Sequence, residues 1–253
     1  MSIKLSVVII TFNEQNDIER CLKSVSKIAD EIIIVDSLST DNTEEICKKY
    51  DVKFFTQKWL GYSEQKNYAN NLATNSLIFS IDADEAVSDE LEKSILEIKS
   101  TAKEGQAFKV DRLTNYCGKW IKHCGWYPDT KLRIWYKNEG EWQGELHEEV
   151  KFKNQPELIT LKGDLLHYSY HSINQHIAQF NKFTDIGAEQ AYKKGKKSNL
   201  FIATYKSIWK FKRDYIFKLG FLDGYYGFVI CALSSQATFA KYLKLRELNK
   251  NTK

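Results

Sequence analysis

The sequence predicts an α/β fold whose first half is a mostly parallel sheet and whose second half is antiparallel and rich in aromatic residues. Strand-like and helix-like segments alternate through the first hundred residues, which is the pattern of parallel strands joined by crossover helices. Shorter strand-like pieces carrying several tryptophans follow, up to residue 167. A basic, aromatic, helix-like segment ends the sequence, so we expect one domain over residues 1–195 and a C-terminal helical segment over 196–253.

The composition is that of a folded globular protein. The chain has 253 residues, 43% of them apolar, with two prolines and no low-complexity tract, which is enough to build a sizeable core. Its five cysteines are an odd number and are scattered, so we expect reduced core thiols and not a disulfide framework. A zinc site at Cys117 and Cys124 is disfavoured because two further ligands at usable spacing are not evident.

The amino-terminal segment predicts a strand followed by a helix. An apolar strand over residues 5–11 leads to polar Asn13 and Glu14 without the small-residue cleavage site of a signal peptide, so we expect a cytoplasmic protein. Asn16, with Glu19 three residues later, predicts the start of the helix through a capping-box-like pair.

Three more strands and two more helices are predicted before the chain reaches residue 82. The second strand, over 31–35, ends at Asp36, and Asp41 is a good N-cap for the helix that follows. The remaining predicted elements of this half are a strand over 52–55, a helix over 62–73 and a strand over 77–81.

Acidic residues follow the fourth predicted strand in the stretch SIDADEAVSDE. Asp82, Asp84 and Glu85 crowd like charges at the end of a buried strand, which costs energy unless a cation or a cationic partner lies among them. We expect Mg²⁺ or Mn²⁺, because a hard divalent ion binds through one or two carboxylates and the oxygens of a diphosphate. Carboxylates that only begin a helix are the alternative, and that alternative fits Asp89 and Glu90 better.

Three predicted strand ends indicate one binding site. In open α/β sheets ligands bind outside the carboxyl ends of the strands, so residues 11–14, 36–39 and 82–85 should meet at one edge. Asp36 lies where such sites commonly place an acid on the ribose or the base. The sequence has no Gly-x-Gly-x-x-Gly after the first strand and no Gly-x-x-x-x-Gly-Lys-Ser/Thr, which disfavours dinucleotide cofactors and P-loop chemistry.

The second half predicts antiparallel strands and then a helix. The strand-like pieces are 107–113, 131–136, 148–152 and 158–161, and the helix covers 172–192. The aromatic residues among these strands either belong to the core, which we favour, or stack on a sugar. Arg133 is left with two possible roles, contact with an acceptor phosphate or pairing with an acid.

A strongly basic segment covers residues 193–218, where nine Lys/Arg accompany one Asp although the whole chain carries only 37 − 33 = +4. Interleaved aromatic residues make it typical of a helix at an anionic membrane interface, whereas a nucleic-acid-binding domain would be basic over a whole face. The uncharged stretch 224–240 is near the lower length for a membrane span and contains polar Ser234–Gln236, so we expect a hydrophobic hairpin or docking helix. An ordinary buried terminal helix is the alternative.

Three segments together resemble a known family. VVIITFNEQNDIERCLKSV, EIIIVDSLSTDNT and FSIDADE are similar in order, spacing and strand-end placement to the nucleotide-sugar-binding half of glycosyltransferase family 2, over roughly residues 3–100. The resemblance implies the Rossmann-like GT-A fold and a metal-dependent, inverting sugar transfer. It implies a nucleotide-sugar site formed by Thr11, Asn13, Glu14, Asp36, Ser37, Asp41, Lys66 and Asp82. It also makes Asp84 a metal ligand.

The fuller pattern resembles the lipopolysaccharide core β-glucosyltransferase group, whose order is followed by GYSEQKNYA, KLRIWY, GELHEEV, LLHYSYHSINQHIAQFNKFT and LGFLDGYYGF. An inverting transferase needs a carboxylate base for the acceptor hydroxyl, and the resemblance places it at Glu148 with His147 beside it. Glu145 and Glu149 are nearly as well explained as solvated strand residues. GT-A enzymes often supply a late histidine to the metal, which makes His167 the second expected ligand, with an ordinary hydrogen-bonded histidine as the alternative.

These resemblances imply an enzyme that moves a sugar, with UDP-glucose as the expected donor, to a lipopolysaccharide core acceptor. We expect a peripheral protein on the inner face of the cytoplasmic membrane, bound to an anionic lipid surface and to no nucleic acid. The alternative within the class is a family 2 transferase for capsule, exopolysaccharide or undecaprenyl-linked glycans. Alternatives from other classes are a regulatory α/β module, which would have no use for the aromatic half, and a non-catalytic nucleotide-sugar-binding protein.

Overall fold

Most of the strands lie in one sheet. The computed structural model describes residues 2–144 and 148–250, and in that part of the chain the strands are β1 (Leu5–Thr11), β2 (Glu31–Asp36), β3 (Lys53–Thr56), β4 (Leu77–Asp82), β5 (Glu85–Val87), β6 (Gln106–Tyr116), β7 (Lys119–Ile121), β8 (Asp129–Tyr136), β9 (Gly140–Gln143), β10 (Glu149–Phe152) and β11 (Glu157–Tyr170). Within the described residues nine strands form a sheet in the order β3-β2-β1-β4-β8-β6-β11-β5, with β7 paired to β6, and β9 and β10 form a separate pair.

Helices follow or separate these strands. They are α1 (Ile18–Val25), α2 (Thr43–Cys47), α3 (Tyr62–Leu72), α4 (Asp89–Thr101), α5 (Ile173–Lys193), α6 (Leu200–Lys212) and α7 (Gly224–Lys250), with a π-helical turn at Arg213–Phe217 and a 3₁₀ turn at Gly220–Asp223. The described residues divide into two compact units. The first runs up to Arg112 and resumes within Asp129–Tyr168, and the second comprises Leu113–Pro128 and the described residues from Ser169 onward. The boundary predicted at residue 195 stays a prediction.

The parallel half of the sheet places three strand ends side by side. β1 pairs in parallel with β2 on one side and with β4 on the other, with Thr11 opposite Asp36 and Ile10 opposite Asp82. Nearly every residue of these strands is buried, as expected for parallel strands covered on both faces. The predicted meeting of the strand ends at one edge is therefore confirmed.

Two helix starts differ slightly from the prediction. Asp17, not Asn16, occupies the N-cap position of α1, because the preceding turn begins at Glu14, whose carbonyl accepts a hydrogen bond from the Asp17 N–H at 3.0 Å. Asn42, not Asp41, precedes the first residue of α2. Neither N-cap side chain makes a capping hydrogen bond, so the local sequence fixes these starts only to within a residue.

The second half of the sheet is antiparallel, as predicted. β8 pairs antiparallel with β4 and β6, and β11 pairs antiparallel with β5. Trp135 and Trp142 are buried core residues and meet edge to face, with ring centroids 5.6 Å apart. The sequence does not predict β5, β7 or β9, since strands of three or four residues are too short to show a period. The predicted α/β class, parallel first and then antiparallel and aromatic-rich, is confirmed.

The second unit is mostly helical. α5 starts with a capping box formed by Ser172 and Gln175, one residue from its predicted start. The unit's buried core contains Tyr116, Ile121, Cys124, Ile230 and Cys231. The uncharged stretch 224–240 lies in the single 27-residue helix α7. Across the described residues no one helix has the length and apolar character to cross a membrane, but Leu200–Phe217 and Gly220–Lys250 meet that requirement as a pair bent by 71°.

All five cysteines are free thiols, as predicted from their number and spacing. Cys21, Cys47, Cys124 and Cys231 are buried and Cys117 is half-buried. Burial raises the pKa of the Cys47 thiol to about 12, so this residue behaves as a small apolar core side chain.

Candidate active site

Hydrogen bonds between side chains and backbone join the loops that follow β1 and β2. The Asn13 N–H donates to the Ser39 hydroxyl at 2.8 Å, and the Asn13 side-chain carbonyl accepts from the Thr40 N–H at 2.8 Å. Asn13 has a φ of 56°, a left-handed conformation that asparagine tolerates better than most residues. Thr11 ends β1, and among the described residues its buried hydroxyl has no hydrogen-bond partner. The two loops therefore form one hydrogen-bonded rim at the carboxyl edge of the sheet.

Asp36 and Ser37, both predicted to bind nucleotide, lie buried in this rim. One carboxylate oxygen of Asp36 accepts from the Ser39 N–H at 2.7 Å and the other accepts from the Ser39 hydroxyl at 2.5 Å. The Ser37 N–H donates to the Thr11 carbonyl at 2.8 Å, and the Ser37 hydroxyl accepts from the Gln65 side-chain amide at 3.2 Å. Both residues thus fix the loop backbone at the end of β2.

Asp41 holds the start of α2. Its carboxylate accepts from the N–H and the hydroxyl of Thr43, at 3.0 and 2.5 Å, and from the Gln15 N–H at 3.2 Å. Burial opposes its ionisation, but these hydrogen bonds outweigh burial and hold the pKa of Asp41 below its ordinary value. Asp41 is therefore a fixed negative charge of the rim.

Glu14 lies at the same rim, in a strongly acidic environment. Burial, followed by repulsion from Asp84, Asp17, Asp41 and Asp82, raises the pKa of Glu14 from its ordinary value of 4.5 to about 7. This side of the site therefore carries more negative charge than its own residues neutralise, and a bound cation would relieve the repulsion.

Asp82, at the end of β4, is paired with two buried cations. Its carboxylate lies 3.0 Å from the Lys66 ammonium and 2.8 Å from the Arg133 guanidinium. Burial would raise the pKa of Asp82, but Arg133 and Lys66 hold it far below its ordinary value. Of the two roles that the sequence left open for Arg133, the structure shows pairing with an acid.

Glu85 extends these pairs into a chain of alternating charges. It is fully buried, lies 2.6 Å from Arg133 and 3.5 Å from Arg112, and accepts a hydrogen bond from the Asp82 N–H at 3.0 Å. Arg112 in turn lies 2.7 Å from Asp129. We call the set formed by Glu148, Lys66, Asp82, Arg133, Glu85, Arg112 and Asp129 the paired network. Sequence reasoning left Glu85 undecided and missed Arg112 and Asp129, because their partners lie on strands far apart in the chain.

Asp84 and His167, the two predicted metal ligands, lie next to each other. The backbone explains the contact, since β5 pairs with β11 so that His167 is opposite Glu85, and the Tyr168 N–H donates to the Asp84 carbonyl at 2.9 Å. The His167 Nε2 atom lies 3.1 Å from an Asp84 carboxylate oxygen. We call Asp84 and Glu14 the open carboxylates, because neither has a Lys or Arg salt bridge among the described residues.

The open carboxylates and His167 offer an incomplete set of metal ligands. Among residues 2–144 and 148–250 no three His, Cys, Asp or Glu side chains form a group that could hold a metal ion. One carboxylate and one imidazole are nevertheless a suitable protein contribution where phosphate oxygens and water supply the other ligands. In the structure the His167 Nε2–H donates to the Asp84 carboxylate, and the His167 Nδ1 atom is buried with no hydrogen-bond partner among the described atoms.

Glu148, the predicted base, is joined to the rest of the site through Lys66. Its carboxylate lies 3.3 Å from the Lys66 ammonium, which also lies 4.6 Å from the centre of the Trp142 ring. Lys66, Asp82, Trp142 and Glu148 all line one cavity of about 790 Å³ in the first unit. His147, the other predicted catalytic residue, lies outside the described residues, as does Glu145.

The arrangement brings three chemical capacities to one edge of the sheet. The rim supplies fixed polar groups, the open carboxylates supply ligands for a cation, and Glu148 supplies a partly exposed carboxylate beside a cavity. A site of this kind can bind a phosphate-bearing molecule and remove a proton from a second molecule next to it.

Comparisons of the sequence with protein families and with curated proteins find glycosyltransferases. A profile of the family described as Glycosyl transferase family 2 matches residues 6–195. An uncharacterized glycosyltransferase of Rickettsia typhi is 33% identical over 257 aligned positions, which cover 97% of this chain and 88% of that protein. The lipopolysaccharide core biosynthesis glycosyltransferase LpsC of Rhizobium meliloti is 28% identical over 210 positions, covering 78% of this chain and 75% of LpsC. Among solved structures, S. aureus TarS 1–349 in complex with UDP covers 99% of this chain and 92% of that one, at 13% identity and a TM-score of 0.48.

Proposed function

Because the chain belongs to glycosyl transferase family 2 and is a glycosyltransferase, we propose that it moves glucose from UDP-glucose to the lipopolysaccharide core or a related surface glycan. The observation that carries the proposal is the meeting of the β1, β2 and β4 ends at one edge, with Glu148 joined to Asp82 through Lys66. The relative LpsC, which is named for lipopolysaccharide core biosynthesis, supports the acceptor class. The alternative acceptors are capsule, exopolysaccharide and undecaprenyl-linked glycans.

The donor nucleotide binds at the rim in this proposal. Thr11, Asn13 and Glu14 line the nucleoside pocket, and Asp36 contacts the base from the end of β2 with Ser37 beside it. The buried hydroxyl of Thr11, without a partner among the described residues, is a free donor for a bound ligand. Hydrogen bonds already hold Asp36 and Asp41 in place, so binding needs little reordering of these loops.

Glu148 is the base for the acceptor. Its carboxylate takes the proton of the acceptor hydroxyl as that oxygen bonds to the anomeric carbon and the bond from that carbon to the diphosphate breaks, which inverts the centre. Lys66 holds the carboxylate by the 3.3 Å contact and links it to Asp82. The proton is therefore transferred to Glu148, and the electron pair of the broken bond departs with the nucleoside diphosphate.

Asp84 and His167 would hold Mg²⁺ or Mn²⁺ together with diphosphate oxygens. The bound ion would supply the positive charge that neutralises the departing diphosphate. The acidic surroundings that raise the pKa of Glu14 fit a cation at this place. Asp82 is engaged by Lys66 and Arg133, so Asp84 is the carboxylate left for the ion.

The second unit carries the surface that we propose for the membrane. Twelve large apolar side chains between residues 200 and 228 are exposed, with Phe201 at 78% and Phe217 at 68%. Lys206, Lys212 and Lys218 are exposed in the same segment. Aromatic rings and lysines together suit the headgroup region of an anionic bilayer, so we place the enzyme at the inner face of the cytoplasmic membrane.

Nucleotide binding tests the donor half of the proposal. We would titrate UDP and GDP by calorimetry, with and without Mn²⁺, into wild type and Asp84→Ala. We expect UDP to bind better with Mn²⁺ and Asp84→Ala to lose that gain. Asp51→Ala is the matched control, since Asp51 is exposed and precedes β3 at the opposite end of the strands. Absent or metal-independent UDP binding would contradict the proposal.

Two further experiments test the base and the membrane. Glu148→Gln should retain UDP affinity and lose sugar transfer, and turnover that survives this change would show that another group is the base.

Flotation with anionic liposomes should decrease when Phe201 and Phe217 are both changed to Ser. Flotation that is unchanged would rule out this surface as the docking site.

A further inference from the structure

The cavity beside Glu148 is lined by more cations than carboxylates. Its volume is about 790 Å³, and five basic side chains line it, namely Lys66, Lys109, Arg112, Lys131 and Arg133. Three acids, Asp82, Glu148 and Glu149, line it as well. Because Glu148 is the proposed base, this cavity is where an acceptor would lie, so the following inference rests on the proposed function.

The paired network accounts for most of these charges. Arg133 is neutralised by Asp82 and Glu85, and Lys66 by Asp82 and Glu148. With Lys131 added, the network has four cations facing four carboxylates. The cations and carboxylates of this set are therefore equal in number.

One lysine of the cavity wall is in surplus over the acids. Arg112 and Lys131 both contact Asp129, at 2.7 and 2.9 Å, and Arg112 also lies 3.5 Å from Glu85. Lys109 lies on the adjacent strand β6 and has no ion pair among the described residues, while Glu149 is 3.1 Å from Lys151. Lys109 is therefore the cation in surplus.

Apolar side chains also line the cavity and suit a sugar ring. Trp142, Phe152, Pro156 and Leu158 line the same cavity. Aromatic and aliphatic surface packs against the C–H face of a pyranose, and the volume lies within the range of ordinary ligand pockets. An apolar wall with a cationic end favours a ligand that is a sugar bearing a negative group.

We infer that the acceptor sugar carries an anionic substituent, a phosphate or a carboxylate, which Lys109 binds while an acceptor hydroxyl reaches Glu148. The anion fixes the orientation of the sugar in the cavity, and it selects charged acceptors over neutral ones. Because the contact is electrostatic and partly exposed, its contribution falls as salt concentration rises.

Direct binding tests this inference without requiring turnover. Methyl glucoside, its 6-phosphate and methyl glucuronide share one ring and differ in charge, so each would be titrated by calorimetry into the full chain saturated with UDP. We expect both anionic probes, or one of them, to bind about tenfold tighter than the neutral one, as one charged hydrogen bond provides. The probe whose affinity exceeds that of the neutral glucoside identifies the substituent as a phosphate or a carboxylate.

Three variants locate the effect. Lys109→Ala should abolish the preference for the anion and Lys109→Arg should retain it. Lys153→Ala is the control, since Lys153 lines a neighbouring pocket and not this cavity. A preference that persists in Lys109→Ala would overturn the assignment.

Other outcomes would also overturn it, and they are separable from failure of the proposed function. Equal affinity for the three probes, or no binding of any probe at roughly 10 mM, would refute the inference that the acceptor sugar is anionic. A loss of UDP affinity in Lys109→Ala as large as the loss for the anionic probe would assign the cavity to the donor diphosphate. A protein that binds no UDP fails the proposed function itself, whereas UDP binding without an anion preference fails only this inference.

Discussion

The paired network and the open carboxylates lie at the same edge of the sheet and handle negative charge in opposite ways. In the paired network each carboxylate touches an arginine or a lysine, as Asp82 does with Arg133 and Lys66. Asp84 has a histidine and no arginine or lysine as its ionic partner within the described part of the chain, and Glu14 has its pKa raised to about 7 by burial and neighbouring acids. The difference teaches that acidity at a strand end is not in itself a sign of a ligand site. Charge that the fold compensates supports structure, and charge that it leaves uncompensated is available to a ligand.

Arg133→Met gives the largest expected effect, because it breaks the paired network at its centre. Arg133 and Glu85 are both buried, and removing Arg133 leaves the buried Glu85 with the more distant Arg112, at 3.5 Å, as its cation among the described residues. We expect the free energy of unfolding to fall by about 3 to 5 kcal/mol, measured by urea denaturation.

A surface ion pair is the control for Arg133→Met. Lys23→Met breaks the exposed contact with Glu19 at 3.0 Å and should change the free energy of unfolding far less than Arg133→Met does. Adding Glu85→Gln to Arg133→Met should recover part of the loss, since it removes the uncompensated charge. Equal effects of Arg133→Met and Lys23→Met would refute the distinction between the two regions.

Glu14→Gln gives the next largest expected effect, and it should stabilise the protein at alkaline pH. Between its ordinary pKa of 4.5 and the folded value of about 7, Glu14 binds more protons in the folded than in the unfolded state, so wild-type stability falls as pH rises. We expect the variant to gain about 1 to 2 kcal/mol near pH 8, a figure reduced for solvent screening, and to gain nothing below about pH 4.5. Denaturation across the pH range measures this.

Glu31 provides a control of opposite sign. Burial alone would raise its pKa, but hydrogen bonds from Lys53, Ser6 and Thr74 outweigh it and lower the pKa to about 2. Glu31 therefore stabilises the fold above its ordinary pKa of 4.5, and that contribution is lost as pH falls toward 2. Glu31→Gln should destabilise near neutral pH, with the gap closing in acid. Parallel pH profiles for the two variants would contradict the pKa assignments.

Asp84→Asn should have the smallest effect on stability and a clear effect on its neighbour. Because Asp84 has no arginine or lysine partner among residues 2–144 and 148–250, it can be neutralised at a cost within about 0.5 kcal/mol. Since Asp84 is the strongest charged contributor to the raised pKa of Glu14, that pKa should fall in the variant. A carbon-13 NMR titration of the Glu14 carboxyl group measures it, and Asp82→Asn, which should destabilise more, is the comparison. If the pKa of Glu14 does not change in Asp84→Asn, Asp84 does not contribute to the raised pKa of Glu14.

The sequence was sufficient for features that depend on local pattern. The bounds of β1 match the prediction, and the ends of β2 and β4 differ by one residue, because buried parallel strands are continuous apolar runs bounded by polar residues. The meeting of Thr11, Asp36 and Asp82 at one edge follows from strand order and the rule for parallel sheets. The predicted roles of these residues in binding stay predictions.

Partners brought together by tertiary pairing could not be predicted. The sequence assigned the counter-charge of the whole acidic stretch to a bound ion, whereas for Asp82 and Glu85 the structure supplies Arg133. That pairing depends on β4 lying next to β8, which no short window of sequence reveals. The contact between Asp84 and His167 depends on β5, which is three residues long, so the family resemblance, and not the strand pattern, brought these two residues together in the prediction.

The two halves of the site also differ in the length of chain needed to assemble them. Asn13 and Ser39 are 26 residues apart, whereas Asp84 and His167 are separated by 83 residues and Lys66 and Glu148 by 82. During synthesis the rim can close soon after β2 emerges, but Asp84 must wait for β11, and distant contacts of this kind form slowly. A nascent chain can therefore form the rim well before Glu148 and His167 join the site, so the site that we propose is completed late in folding.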